Sequence, residues 1–512
     1  MALVAAFFSL SVGGASAQTA SPQNLAQRIQ QLTDAMARTQ AQLEKSQREL
    51  DQMRLQLGEL KRQMAQSGAT GASTPAATAP QAPSASSQDT SQSMAAEIEK
   101  LRENQAIDKS EIATQEQAKV ESSSKYPVKV TGLLLMNGFA NTSAVDAPAT
   151  PSVAVPGPGN GGASLRQTIL GLDAYGPHLF GAHSFADLRV DFYGNQTANT
   201  SATSYSGYYS TNFPLVRLRT AHVGLYWDRT QVSFALDHPI VSPDAPTSLT
   251  ATAVPPLAWS GNLWTWNPQA VIRQDLGRSG SAGVELQAAL IDVGDAPLTP
   301  AAASSSTATA ISPSSAEQSS KPGVEAHISY VSAGSAGERS HFGVGGYFAP
   351  HKSSQGTSFD SWAGTADMHF PLPAHLQLSG TFYRGAALGG LGGGAFKDFA
   401  YQSNPYTGSY YILPLDDVGG WAQLKEKFSE RLEFNAAYGL DEVFAGQLRP
   451  YYVPGGSPIE NLARNRTYTG NVIYSPSAYL LFSLEYRRLE SAPVVGTSVK
   501  GNIIGLGAGF KF

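Results

Sequence analysis

From residue 128 to the end of the chain, apolar and polar residues alternate with a period of two. This period is typical of β-strands that have one apolar and one polar face. Sixteen segments with this pattern are interpreted as strands: 128–139, 165–175, 184–193, 215–227, 231–237, 270–276, 283–292, 323–332, 341–349, 360–370, 375–384, 418–428, 431–440, 464–474, 479–488 and 499–512. The sequence therefore predicts an all-β fold over most of its length.

Segment 184–193 shows the two faces. One face holds Ala186, Leu188, Val190 and Phe192, and the other holds Asp187, Arg189, Asp191 and Tyr193. An apolar face that ends in aromatic residues, backed by a polar face, is typical of a strand between lipid and water. A soluble β-sandwich also alternates, so the alternation alone leaves both folds open.

The lengths of the connections separate the two folds. Long connections (140–164, 194–214, 238–269, 293–322, 385–417 and 441–463) alternate with short ones (228–230, 277–282, 371–374, 429–430 and 475–478). A barrel inserted from one side keeps short periplasmic turns and long outer loops, whereas a sandwich has no reason to alternate. We therefore expect a transmembrane barrel of 16 antiparallel strands over residues 125–512, with both barrel ends facing the periplasm.

The segment before the barrel has helical and flexible parts. Residues 1–17 resemble a signal peptide, with an apolar run and the site Ala15-Ser16-Ala17; a short buried helix is the alternative. Residues 18–66 are predicted to form a coiled coil, because apolar residues occupy most a and d positions of the heptads. A lone amphipathic helix remains possible there. Residues 67–93 form a flexible linker, and 94–124 a second helical segment in the periplasm.

Composition narrows the class of protein further. The formal charge is −5 and no long basic run occurs, so nucleic acid is not an expected partner. The chain has no cysteine, which excludes disulfides and thiolate metal sites. Beyond the signal, no window of 18 apolar residues could form a membrane-spanning helix. An exported chain with 15% charged residues and 50 glycines points to a barrel in the outer membrane.

Motifs for catalysis or metal binding are missing from the sequence. It contains no H-E-x-x-H, P-loop, G-x-S-x-G or EF-hand pattern. His327 and His341 lie on neighbouring predicted strands, but two histidines without a third ligand fall short of a metal signature. We expect no enzyme, no cofactor and no metal, with a barrel hydrolase as a remote alternative.

The third long connection, His238 to Pro268, is rich in proline and tryptophan. Prolines limit its conformations, and a loop of this length is usually functional. A water-exposed loop would not favour three tryptophans within eight residues. We expect a constriction loop inside the lumen, with Trp259, Trp264, Trp266 and Asp244 as candidates. The alternative is a loop over the barrel mouth or against a neighbouring subunit.

Charged residues on the polar strand faces are candidates for pore lining and selectivity. Alternation assigns to the lumen Arg189, Arg217, Arg219 and Arg273, together with Asp187, Asp191 and Asp275. We expect the four arginines to lie close together along the wall. Arginines in a narrow lumen attract anions. The alternative is that the acids pair with these arginines and only brace the wall.

The chain resembles trimeric outer-membrane porins with an N-terminal coiled coil, in particular the dicarboxylate-porin (DcaP-like) family. The matching stretches are Leu215-Val216-Arg217-Leu218-Arg219-Thr220-Ala221-His222 and Pro268-Gln269-Ala270-Val271-Ile272-Arg273. The chain has His222 where the family usually has tyrosine. The resemblance implies a homotrimer, a third loop folded into the pore, and passive diffusion of small polar, often anionic, solutes.

These observations predict an outer-membrane porin that passes small hydrophilic, dicarboxylate-like solutes. Its expected partners are two further copies of the chain, outer-membrane lipid, the solutes themselves, and peptidoglycan through the periplasmic helices. The alternative is a structural or adhesive barrel that its periplasmic helices tether to the cell wall.

Overall fold

The computed structural model describes residues 128–194, 214–279, 282–300, 313–333, 339–404, 406–407 and 410–512. The expected signal peptide (1–17), coiled coil (18–66), linker (67–93) and helical segment (94–124) lie outside these residues. The first three residues assigned to the barrel, 125–127, lie outside them too.

Nineteen strands occur among the described residues. They are β1 Val128–Val145, β2 Ala154–Ser164, β3 Ile169–Leu179, β4 Ala182–Asp191, β5 Arg217–Tyr226, β6 Thr230–Asp237, β7 Asn267–Ser279, β8 Ala282–Ile291, β9 Gly323–Ala333, β10 Arg339–Lys352, β11 Ser358–Leu372, β12 Leu376–Ala386, β13 Phe399–Ser403, β14 Tyr410–Pro414, β15 Asp416–Ser429, β16 Leu432–Val443, β17 Leu462–Tyr474, β18 Leu480–Pro493 and β19 Val499–Lys511. Strands β13 and β14 form a separate two-stranded hairpin, and the other 17 belong to one sheet.

The large sheet closes on itself as an antiparallel barrel. Its last strand, β19, pairs with β1, from Leu133 with Lys511 to Asn141 with Ile503. On its other side, β1 pairs first with β3 and then with β2. Because β2 and β3 share one position beside β1, the barrel has 16 strand positions. The predicted closed barrel of 16 antiparallel strands is confirmed.

Each of the sixteen segments predicted from the alternation overlaps a barrel strand. Strand β2 was missed because Ala154–Ser164 contains four glycines and two prolines, a composition that predicts a turn. The β13–β14 hairpin lies within a connection that was predicted to have no strands. The third connection ends at Trp266, since β7 begins at Asn267, before the predicted position.

The two faces of the wall differ in chemistry. Outward side chains are apolar and exposed, as for Leu484 (55% exposed) and Leu506 (56%). Inward side chains are polar and buried, as for Glu485 (2%) and Asn465 (0%). An apolar exterior around a polar interior is the arrangement of membrane barrels. The buried core therefore lies inside the barrel, where long connections fold inward.

Two short helices lie in long connections. Helix α1, Ser315–Ser319, begins with a capping box between Ser314 and Glu317. Helix α2, Ala445–Leu448, precedes a 3₁₀ turn at Arg449–Tyr451. Within the described part of the chain, no helix is long and apolar enough to cross a membrane.

Candidate functional site: the barrel interior

The third loop, residues 238–266, runs through the barrel interior. It first follows the wall of β9 to β11, where Glu325 accepts a hydrogen bond of 3.0 Å from the backbone N–H of Ile240. Further along, Asp244 Oδ2 lies 3.0 Å from His341 Nε2. Asp367 Oδ1 lies 3.3 Å from the same nitrogen, and His327 Nε2 is 2.6 Å from the other oxygen of Asp367. These contacts fix the first arm of the loop to one wall.

The loop then reaches the opposite wall. Gln423 on β15 accepts from the N–H of Thr247 at 2.6 Å, and Asn471 on β17 donates to the carbonyl of the same residue at 2.9 Å. Glu485 on β18 accepts from the hydroxyls of Ser248 and Thr250. Because residues on both sides of the barrel hold one loop, the third loop spans the lumen.

The next turn of the loop lies beside β5. Gln167, between β2 and β3, donates to the carbonyl of Thr250 and accepts from the N–H of Thr252 at 2.8 Å. Arg217 donates to the carbonyl of Ala253 at 2.7 Å, and Arg219 donates to that of Thr252. Two candidate arginines therefore bind the backbone of the loop.

The loop returns along β15 to β17. Asn465 donates to the carbonyl of Trp259 at 2.9 Å, and the hydroxyls of Ser260 and Thr467 lie 2.9 Å apart. Gly261 has φ +100°, and a Cβ there would lie 2.0 Å from the carbonyl oxygen of Gly420. Only glycine satisfies both the backbone conformation and this close approach.

A second inward segment, residues 387–398, packs against the third loop. We name it the glycine segment, since it contains Gly389, Gly390 and the run from Gly392 to Gly394. The ring of Trp259 stacks on Phe396 with centroids 4.1 Å apart. The backbone N–H of Trp264 donates to the carbonyl of Leu391 at 3.0 Å. The two loops thus share one buried core.

Buried charges hold the glycine segment in place. Asp417 and Asp441, both 0% exposed, accept hydrogen bonds of 2.7 Å from the N–H groups of Gly394 and Ala395. The ammonium of Lys397 donates to three backbone carbonyls. Burial lowers the pKa of Lys397 to about 7 and raises the pKa of Asp398 to about 7.

The main basic cluster surrounds Asp191, whose side chain is fully buried. Arg217 binds it with two hydrogen bonds, of 3.1 and 2.6 Å, and Arg219 lies 3.6 Å away. Both guanidinium groups lie 4.9 Å from the ring centroid of Trp266, a distance at which a cation attracts the ring face. Trp264 meets Trp266 edge to face at 5.4 Å.

A β-bulge at Arg219 changes the alternation along the rest of β5. The pairing of β4 with β5 shifts there, so that Arg189 faces Thr220 while Val190 faces Leu218. Arg219 is the extra residue, and the shift changes which residues beyond it face inward. His222 therefore points into the lumen, which simple alternation from Arg217 does not predict.

Below the basic cluster, toward the short turns, three carboxylates lie among Arg189 and two histidines, His222 and His238. Arg189 pairs with Asp173 at 2.6 Å and lies 3.9 Å from Asp187. The imidazole of His222 bridges Asp187 (3.0 Å) and Asp237 (2.9 Å). Neither Asp237 nor His222 was among the predicted site residues. Asp237 lies on the polar face of its predicted strand, whereas alternation places His222 on the apolar face of its own.

Arg273 and Asp275 lie apart from the other candidates. Arg273 bonds to Glu285 on β8, and Asp275 is in register with the same residue. Along β7, Arg273 is six residues beyond Asn267, which is in register with Asp237. Six residues of strand span about 20 Å, so the four arginines do not form one group.

The walls differ in how much of their polar face stays exposed. On β15 to β18, Gln423, Asn471 and Glu485 are 2–4% exposed beneath the third loop. On β4 and β7, the side chains of Arg189 and Arg273 are 32% and 38% exposed. The interior is thus accessible beside these side chains of β4 and β7. Among the described residues, no three His, Asp or Glu side chains are placed to hold a metal ion.

Comparison with known proteins supports the fold. No protein-family model matches the chain, and no curated protein matches it. The outer membrane channel DcaP of Acinetobacter baumannii aligns with a TM-score of 0.53 and 15% identity, over 76% of this chain and 97% of that chain. The anion-selective porin from Comamonas acidovorans gives 0.44 and 12%, over 76% and 100%. The first of these similarities shows a porin-type barrel fold.

Proposed function

We propose that this chain is an outer-membrane porin, a passive diffusion channel for small hydrophilic solutes. The observation that carries the proposal is the asymmetry of the interior. The third loop covers the polar face of β15 to β18, whereas charged side chains of β4 and β7 remain exposed. A polar, accessible path inside an apolar cylinder is what passage of water-soluble solutes requires.

We propose that the path is narrowest where the third loop meets β5, because Arg217 and Arg219 bind the loop backbone there. There Arg217 and Arg219 contact the carboxylate of Asp191, and Arg166 lies beside them over the ring of Tyr193, so that three cations stand near one anion. This local excess of positive charge favours the passage of anions, including dicarboxylates, although Asp173, Asp187 and Asp237 below it oppose the effect.

We propose a homotrimer, with the N-terminal segment in the periplasm beside peptidoglycan.

Reconstitution in planar bilayers tests the channel. Purified protein should give stable conductance steps, in groups of three for a trimer, and liposomes containing it should swell in small neutral sugars. A correctly folded barrel that gives neither current nor swelling would overturn the proposal and favour a structural role.

A further inference from the structure

The outer wall of β16 to β19 carries a group of charges on the face that should contact lipid. Its members are Arg464, Arg466, Arg488, Lys500, Glu442 and Glu490. We name this group the outer charged patch. It lies at the end of the barrel that bears the long connections, because β16 and β18 end there and β17 and β19 begin there.

Burial shows that these side chains point outward. On β17, Asn465 and Thr467 are 0% and 2% exposed inside the barrel, so the alternate residues Arg464 and Arg466 face outside. On β18, Arg487 is buried at 6%, whereas Tyr486 is 48% exposed and shares its face with Arg488. The patch therefore belongs to the exterior and not to the pore.

The patch lies just above an aromatic row. Tyr438 pairs with Tyr468 in register, and the next outward pairs toward the long connections are Leu440 with Arg466 and Glu442 with Arg464. Below this row the outward residues are apolar and exposed, among them Leu484. Aromatic residues mark the membrane–water interface, so the patch lies at the depth of the outer head groups.

The charges in the patch do not balance. Glu490 alone contacts Arg466 at 3.2 Å, Arg488 at 3.2 Å and Lys500 at 3.9 Å. Glu442 contacts Arg464 at 3.8 Å. Four cations against two carboxylates leave an excess of two positive charges, and Lys500 is 56% exposed. An additional anion bound here would neutralise this excess.

Other parts of the wall differ from the patch in charge. Strands β3, β6, β8 and β9 contain no lysine or arginine, and the described arginines of β4 and β5 face inward. On β12, the outward Arg384 is balanced by Asp416 at 3.3 Å. The patch is therefore distinguished from these strands by its excess of cations.

We infer that the outer charged patch binds the phosphate groups of a phosphorylated glycolipid in the outer leaflet. Such a lipid has anionic phosphates at head-group depth and acyl chains below. The wall matches this order, with cations above Tyr468 and exposed Leu484 and Ile504 beneath. Guanidinium groups bind phosphate through paired N–H donors. The inference depends on a membrane location but not on channel activity.

The test compares two double variants of the full-length protein. Arg464→Gln with Arg466→Gln removes two cations from the patch. Lys321→Gln with Lys352→Gln removes two exposed cations near the same end of the barrel and serves as the control. Each protein is incubated with vesicles containing phosphorylated glycolipid, purified in detergent, and analysed by native mass spectrometry for glycolipid retained per chain.

We expect the patch variant to retain glycolipid roughly tenfold more weakly than the wild type, and the control to match the wild type. Enzymatically dephosphorylated glycolipid should bind all three proteins equally weakly. Equal retention by the patch variant, or equal binding of dephosphorylated lipid by the wild type, would overturn the inference. If oligomers of the patch variant dissociate while each chain retains as much glycolipid as the wild type, the patch is instead a contact between copies of the chain. Heat-dependent gel mobility verifies folding, and unchanged conductance separates this result from pore function.

Discussion

Asp244 in the third loop and His341 on β10 lie 3.0 Å apart, an ion contact that ties the first arm of the loop to the wall. Asp367 also lies close to this imidazole, at 3.3 Å. The contact is inside the barrel, where screening by salt is weak. The position of the loop in the lumen thus depends on a pair that can be changed without altering any strand.

Asp244→Asn should loosen the first arm of the loop. Because the neutral amide attracts the ring of His341 less than the carboxylate does, we expect single channels with larger current fluctuations and a higher mean conductance. Asp228→Asn changes an exposed aspartate in the turn between β5 and β6 and is the control. Identical current noise in both variants and the wild type would show that this contact does not position the loop.

The basic cluster around Asp191 should influence whether the channel prefers anions or cations. Arg217→Ser with Arg219→Ser should move the reversal potential in a salt gradient toward cations, because Asp191, Asp187 and Asp237 then dominate the field. Arg217→Lys with Arg219→Lys keeps the charge and should keep the wild-type potential even if the loop shifts. This second variant separates charge from folding.

A second double variant tests whether the shift of the reversal potential comes from the arginines of β5 in particular. Arg189→Ser with Arg273→Ser removes the same charge from the inward face, at positions that do not bind the third loop. We expect a smaller shift of the reversal potential, since a charge acts most strongly where the path is narrow. Equal shifts in the two double variants would mean that the interior responds to its total charge and that β5 has no special role.

The sequence alone located the wall but not all of the interior. Alternation placed the strands correctly because each has lipid on one face and polar contacts on the other, and this requirement repeats sixteen times. The inward positions of Arg217 and Arg219 follow the same pattern. His222 was not predicted as a lumen residue because the bulge at Arg219 reverses the alternation beyond it.

The glycine segment shows a second limit of prediction from the sequence alone. Its glycines have no periodicity and predict only a loop. Its inward position depends on Asp417 and Asp441, which follow at some distance along the chain and bind Gly394 and Ala395. Contacts of this kind are set by tertiary structure, and a single sequence does not contain a local signal for them.

Gly261→Ala should displace the returning arm of the third loop. The added Cβ would lie 2.0 Å from the carbonyl oxygen of Gly420, and φ is +100°. Gly181→Ala is the matched control, because φ there is +76° and nothing lies within 4 Å of the new Cβ. We expect the temperature of heat-induced unfolding to fall more for Gly261→Ala, with altered conductance in that variant alone. If the unfolding temperature falls equally in both variants, the effect is due to backbone strain and not to the close approach of the new Cβ to Gly420.

Asp398 should make the stability of the barrel depend on pH. Burial raises its folded-state pKa to about 7 from an ordinary value of 3.8. Between these two values the folded protein binds more protons than the unfolded chain, so stability falls as pH rises from 4 to 7. From pH 5 to pH 7, the titration of Asp398 lowers the free energy of unfolding by about 2 kcal/mol.

Asp398→Asn tests this dependence. The amide oxygen can still accept from the N–H of Gly390, now 3.1 Å from the carboxylate, but it cannot titrate. The unfolding temperature of the wild type should drop between pH 5 and pH 7 relative to that of the variant. The window stops at pH 7 because burial also lowers the pKa of Lys397 to about 7, and above that value the loss of its proton adds stability. Parallel curves for the two proteins from pH 5 to pH 7 would show that Asp398 is already ionised in the folded barrel, and the glycine segment would then hold a buried negative charge beside Lys397.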